Sequence, residues 1–129
     1  MYKSLLRDIS RKKIPIAVIG LGYVGLPLAL GFARKGFKVF GIDNDRDRVK
    51  KLLARTSYIT DVESRDLASL VTQKAFVPTT DFRFVRECRA VIICVPTPIK
   101  RKYTPDISFI LSAVRAVREN LSPGTLVIL

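Results

Sequence analysis

The sequence contains no histidine and no tryptophan, and its 129 residues include only two cysteines, Cys88 and Cys94. Without histidine this chain can hold no His-ligated metal site, no Ser-His-Asp triad and no Cys-His pair. Two cysteines are too few for a disulfide framework and lack metal-ligand spacing, so a reducing, cytoplasmic setting is expected. No apolar run approaches the ~20 residues needed to cross a bilayer, so no membrane partner is expected either. Residues 1–13 carry five basic side chains without an uninterrupted apolar stretch and do not read as a signal peptide. Acid is scarce too. Eleven Asp and Glu stand against 23 Lys and Arg, a formal charge of +12.

Such a surplus attracts anions in general. The basic residues are nevertheless dispersed along the chain, and the four Tyr and seven Phe are not interleaved with them as a base-stacking platform requires. Nucleic acid is therefore not an expected partner, and a solvated basic surface is the plainer reading. What is present is a globular composition, 48% hydrophobic and 26% charged, at a length suited to one domain.

Short apolar runs alternate with amphipathic stretches. Residues 16–19, 38–42 and 90–95 read as strands, the last apolar throughout, as a strand covered on both faces should be. Residues 76–79 form a weaker strand, made doubtful by Pro78. Helices are expected over residues 24–35, with Val24, Leu28 and Phe32 as the inward stripe, and over 45–55, with Val49, Leu52 and Leu53 inward. A third amphipathic stretch covers 63–72, and a short helical segment covers 82–88. Asp106 is expected to cap a final helix through Ile107, Ile110, Leu111, Val114, Val117 and Leu121. Residues 126–129 read as a fifth, buried-type strand. Strands alternating with helices imply an α/β fold with a parallel sheet and right-handed crossovers. Because that last strand stops with no loop or helix after it, the chain is expected to be an N-terminal piece of a longer protein.

Gly20-Leu21-Gly22-Tyr23-Val24-Gly25 is a G-x-G-x-x-G sequence placed after a strand and at the start of a helix. The first glycine permits the tight turn, the second lets the backbone approach a diphosphate, and the third allows helix and strand to pack closely. The helix N-terminus then offers N–H groups and dipole to the anion. Asp43, 23 residues after Gly20, ends the second strand, where a carboxylate accepts ribose hydroxyls and disfavours a 2′-phosphate. NAD is thus favoured over NADP, although Arg46 and Arg48 stand close enough in sequence to accommodate a 2′-phosphate. Val95-Pro96-Thr97-Pro98 leaves the fourth strand at the edge where open α/β sheets bind ligands, so Thr97 could bond a ribose or diphosphate. An ordinary proline-shaped loop is the equal alternative.

These residues resemble the UDP-glucose/GDP-mannose dehydrogenase family. The resemblance rests on residues 16–29 around the glycine-rich turn, on Ile93-Cys94-Val95-Pro96-Thr97-Pro98, and on Pro105-Asp106-Ile107-Ser108 in matching order and spacing. Ser57-Tyr58-Ile59 with Asp61-Val62 is similar to the branch that oxidises UDP-N-acetylhexosamines, chiefly UDP-N-acetylglucosamine. By this resemblance residues 1–13 form a polar, helical extension and residues 14–129 an NAD-binding domain, a Rossmann-type doubly wound sheet of about five strands, incomplete at its C-terminus. Gly20, Gly22, Tyr23, Val24 and Gly25 are assigned to the NAD diphosphate, Asp43 to the adenine ribose, and Arg48 to the adenosine end. Val95, Pro96 and Thr97 line the same site.

The activity the resemblance implies is oxidation of a UDP-sugar C6 hydroxyl to the carboxylate with two NAD, supplying uronates for polysaccharide biosynthesis. The implied enzyme is a homodimer or higher homo-oligomer. Its catalytic cysteine lies in a Gly-Gly-x-Cys-type motif that this sequence does not contain, so no catalytic residue is expected here. Cys94 is expected to be an inert buried thiol, whereas Arg86 and Arg89 beside Cys88 are a setting that lowers a thiol pKa. A non-catalytic NAD-sensing module and a hydroxy-acid or hydroxyacyl dehydrogenase domain are the alternative readings.

Overall fold

A strand whose side chains alternate between two covered faces must be apolar at every position, and that constraint organises this fold. The computed structural model describes all residues, Met1–Leu129. In chain order it contains α1 (Tyr2–Ser10), β1 (Ile16–Ile19), α2 (Gly25–Arg34), β2 (Val39–Ile42), α3 (Arg46–Leu53) and α4 (Ser64–Thr72). Then follow β3 (Phe76–Thr79), β4 (Ala90–Ile93), α5 (Ser108–Asn120) and β5 (Leu126–Ile128). Short 3₁₀ segments occupy Phe82–Glu87 and Arg101–Tyr103.

All five strands are parallel, in the spatial order β3-β2-β1-β4-β5. In β1, Ile16 and Val18 enter a core built with α2 and α4, while Ala17 and Ile19 enter a second core with α5 and the 82–87 segment. The two cores lie on opposite faces of the sheet. This is a Rossmann-type doubly wound α/β arrangement, and it sets the carboxyl ends of β1, β2 and β4 side by side. Helix α1 is amphipathic, and Leu5 and Ile9 pack against the first core.

Four local expectations need correction. In α2 the inward stripe is Leu26, Ala29, Leu30 and Ala33, because a helix apolar nearly all round leaves the choice of covered face to its packing on the sheet; Val24 is exposed before the helix, and Leu28 and Phe32 are only half-buried. In α3, Val49 and Leu52 are buried but Leu53 is exposed, one position past the stripe. Helix α5 starts at Ser108, so Asp106 lies beyond the cap position, although its Oδ1 still accepts the Ser108 N–H at 3.0 Å. Strand β5 is not buried: Leu126, Val127 and Ile128 are each more than 40% exposed, with Leu111 and Val114 of α5 and the following Leu121 exposed as well. The doubtful β3 does form. It is an edge strand, where the N–H that Pro78 lacks is least missed.

The contact between β2 and β3 is unusually close at one point. A Cβ at Gly41 would overlap the Phe76 ring and stand 3.1 Å from Leu21 Cδ1. Gly41→Ala is expected to lower stability by about 1–3 kcal/mol through overpacking. Shrinking the ring relieves that clash, so Gly41→Ala with Phe76→Leu should be less destabilised in urea unfolding than the sum of the single variants. Strict additivity would show that the ring is not the obstacle.

Candidate functional site

The chain leaves β1 at Gly20, whose φ of +90° places it in the left-handed region that favours glycine. A Cβ there would also lie 2.8 Å from the Cys94 carbonyl oxygen, at the end of the neighbouring β4. At Gly25 a Cβ would collide with the carbonyl of Gly20, so the start of α2 rests directly on the end of β1. Gly22 is different. A Cβ there would meet nothing nearer than Arg48 Nη1 at 3.8 Å, so the protein's own packing does not require glycine. The space it leaves open is where the motif calls for close approach by a diphosphate. Neither the Gly22 nor the Tyr23 N–H has an acceptor within the protein, and both precede the α2 N-terminus. Unpaired amides before a helix N-terminus suit an anion.

Asp43 follows β2 and is 6% exposed. Its Oδ2 accepts the Leu21 N–H at 2.8 Å, and its Oδ1 accepts the Asp45 N–H at 2.9 Å. The carboxylate is therefore tied to the glycine-rich turn itself. Arg48, one turn into α3, puts Nη1 3.4 Å from Asp43 Oδ2 and Nε 3.7 Å from Asp45 Oδ2. Asp45 caps α3 by accepting the Asp47 and Arg48 N–H groups, which fixes the start of the helix that carries Arg48.

Two clefts open at this edge of the sheet. The larger, about 300 Å³, runs from Gly20, Asp43 and Asn44 past Phe82 to Val95, Pro96, Ser108 and Ser112. The smaller, about 140 Å³, is formed by Gly22, Tyr23, Arg48, Tyr58 and Ile59. The structure thus gathers Gly20, Gly22, Tyr23, Asp43, Arg48, Val95 and Pro96 around one edge. Gly25 is buried beneath them, while Val24 is exposed just before α2. Thr97 is exposed and lines neither cleft.

Several lining residues lie outside the site that the sequence alone picks out, among them Ser108, Ser112, Asn44, Phe82 and Tyr58. Ser108 and Ser112 stand one helical turn apart on α5, a spacing legible in the sequence, and Asn44 directly follows Asp43. Phe82 gave no signal, since any short helical segment can carry an aromatic. Tyr58 belongs to the Ser57-Tyr58-Ile59 segment, whose resemblance bears on the sugar substrate and not on the cofactor. Its hydroxyl donates to the Leu21 carbonyl at 2.6 Å, and the Arg48 guanidinium lies 5.8 Å from its ring centre.

The thiols do not form a reactive pair. Cys88 is fully buried, and burial pushes its pKa up to about 12, with Glu87 adding to the rise. The expected lowering by Arg86 and Arg89 does not occur, and Lys38 is the cation that opposes the rise. Cys94, just past β4, is half-buried and raised in the same direction by the same cause. Burial also pushes the Tyr58 hydroxyl up to about 12 against the opposing Arg48 charge.

Among known proteins, the sequence pattern of the UDP-glucose/GDP-mannose dehydrogenase family, NAD binding domain, matches residues 14–129. A UDP-N-acetyl-D-mannosamine dehydrogenase of Pyrococcus horikoshii is 36% identical over 115 residues, 88% of this chain and 27% of that protein. A UDP-N-acetyl-D-glucosamine 6-dehydrogenase of Pseudomonas aeruginosa is 32% identical over 117 residues, 91% of this chain and 27% of that protein. A solved UDP-D-ManNAc dehydrogenase structure from Pyrococcus horikoshii superposes with a TM-score of 0.82 at 34% identity, covering 88% of this chain and 27% of that one. The chain thus spans about a quarter of the length of the curated relatives it matches.

The half-buried Tyr58 hydroxyl and the buried Cys88 thiol set a pH dependence. Both are held neutral in the folded protein, whereas the unfolded chain ionises Cys88 near 9.0 and Tyr58 near 10.0. The unfolded state therefore loses protons first, and stability present below about pH 9 declines as pH rises towards 12. Urea midpoints should fall across that window and fall less in Cys88→Ala and Tyr58→Phe. A midpoint unchanged from pH 8 to 11 would contradict the burial argument.

Proposed function

This chain belongs to the UDP-glucose/GDP-mannose dehydrogenase family through its NAD-binding domain, and from that premise we propose how the domain holds NAD and what the whole protein does with it. The reading is carried by one observation: the buried Asp43 carboxylate bonds the Leu21 N–H inside the glycine-rich turn, joining ribose acceptor and phosphate cradle in one rigid unit. In this reading Asp43 retains acceptor capacity for the adenine ribose hydroxyls, beside its bonds to Leu21 and Asp45. The free Gly22 and Tyr23 amides and the α2 N-terminus take the diphosphate, and Gly22 supplies the space for it. Gly20 and Gly25 shape the turn. Arg48 borders the adenosine end, while Val95, Pro96 and Thr97 flank the remainder of the cofactor. NAD, when bound, supplies a hydride acceptor; the residues of this chain bind and orient it.

The substrate proposed for the whole protein is a UDP-N-acetylhexosamine, UDP-N-acetylglucosamine or a related sugar, oxidised at C6 to the uronate. Supporting that choice are the Ser57-Tyr58-Ile59 segment and the names of the relatives, which are divided between N-acetylmannosamine and N-acetylglucosamine. A homo-oligomeric, cytoplasmic enzyme serving polysaccharide biosynthesis completes the proposal. No helix is long and apolar enough to cross a membrane.

Calorimetric titration tests the cofactor site directly. Asp43→Ala should weaken NAD by roughly tenfold or more, the scale of hydrogen bonds to a charged group, and should weaken NADP less. Equal NAD affinity in wild type and Asp43→Ala would refute the assignment. The purified 129-residue chain should generate no NADH from NAD and UDP-N-acetylglucosamine, because it carries no Gly-Gly-x-Cys motif. Turnover by this chain alone would overturn the division of labour proposed here.

A further inference from the structure

Leu21, within the glycine-rich turn, is held through both of its backbone polar groups, which belong to two consecutive peptides. Asp43 Oδ2 accepts the Leu21 N–H at 2.8 Å, and the Tyr58 hydroxyl donates to the Leu21 carbonyl at 2.6 Å. Tyr58 is distant in sequence but delivered firmly. The buried Ile59 and Val62 anchor its segment. The Ser57 hydroxyl meets both the N–H and the carbonyl of Ile59, and the Ser57 N–H donates to the Ser64 hydroxyl at the start of α4.

The Leu21 carbonyl and the Gly22 N–H belong to one planar trans peptide, in which C=O and N–H point in opposite directions. Fixing one fixes the other. With the carbonyl turned to Tyr58, the Gly22 N–H is turned away from it, and that N–H has no acceptor in the protein. The same phenol ring lies beneath the Arg48 guanidinium, which also reaches Asp43.

We infer that Tyr58 is a positioning residue for the dinucleotide: by holding the Leu21 carbonyl it aims the Gly22 N–H at the diphosphate, and with its ring it seats Arg48 at the adenosine end. The inference rests on the NAD-site reading above and deepens it. Its signature is a division of effects between two chemical groups on one side chain. Removing the hydroxyl affects ligands that carry a diphosphate; removing the ring affects adenosine as well.

The test is calorimetric titration of wild type, Tyr58→Phe and Tyr58→Leu with NAD and with adenosine, alongside urea unfolding of each. Tyr58→Phe should weaken NAD about three- to tenfold, the worth of one net hydrogen bond, and leave adenosine affinity unchanged. Tyr58→Leu should weaken both ligands. Unchanged NAD affinity in Tyr58→Phe, or equal loss for NAD and adenosine, overturns the inference while leaving the site reading intact. Wild type that fails to bind NAD, or Asp43→Ala that binds it equally well, overturns the site reading instead. A measurement on wild type alone covers the case in which the variants fail to fold. In ¹⁵N-labelled protein the Gly22 amide resonance should shift on saturation with NAD, and a Gly22 resonance that stays in place overturns the inference.

Discussion

The bond between the Asp43 carboxylate and the Leu21 N–H is where two strands and a turn become one object. Asp43 follows β2 and Leu21 follows β1, so the bond crosses from one strand end to its neighbour. Burying a carboxylate is unfavourable unless hydrogen bonds replace its water. Here two backbone N–H groups and the nearby Arg48 guanidinium do so. The result is a carboxylate whose position is set by the sheet rather than by a mobile loop. Removing it would strand the Leu21 amide and release the turn, so the same bonds that hold the turn also hold the carboxylate in place.

The rest of the fold brings that bond into being. A parallel sheet needs both faces covered, which is why β1 sends Ile16 and Val18 to one core and Ala17 and Ile19 to the other. Covering both faces forces crossovers, and crossovers place helix N-termini at the carboxyl ends of the strands. Helix α2 begins on top of β1 because neither Gly20 nor Gly25 has a Cβ to hold the two apart. The anion-facing amides are thus a consequence of the packing and need no additional element.

Features governed by short-range geometry were legible in the sequence: the glycine spacing, the acid at the second strand end, and the alternation that yields a parallel sheet. Those set by distant partners were not. Helix α2 is apolar nearly all round, so its composition does not say that the face of Leu26, Ala29, Leu30 and Ala33, and not that of Leu28 and Phe32, is the one the sheet covers. Cys88 was judged by its sequence neighbours Arg86 and Arg89, but burial governs its ionisation. Strand β5 has the composition of a core strand, yet burial depends on what is packed against it, and composition carries no such information. Tyr58 stands 37 residues from the carbonyl it holds, a separation that no local pattern spans. Thr97 sits in a recognisable motif next to Pro96, which lines the larger cleft, but its own exposure depends on the course of the loop and is not encoded in the motif.

Part of the positive charge sits where the helices favour it. Basic residues occupy the last turns of α1, α2, α3 and α5, as Arg7, Arg34, Lys50, Lys51 and Arg118. Cations there interact favourably with the negative end of the helix dipole, by about 0.3–1 kcal/mol each at low salt. In this parallel architecture the helices of the crossovers run opposite to the strands, so their positive ends meet the glycine-rich edge and their negative ends face away. Cations on that far side neutralise the dipole's negative pole without competing for a ligand at the near side. At the near side Arg48 is the cation that reaches Asp43, and two carboxylates restrain it. The same polarity that leaves unpaired amides at one edge of the sheet thus favours these basic side chains at the other.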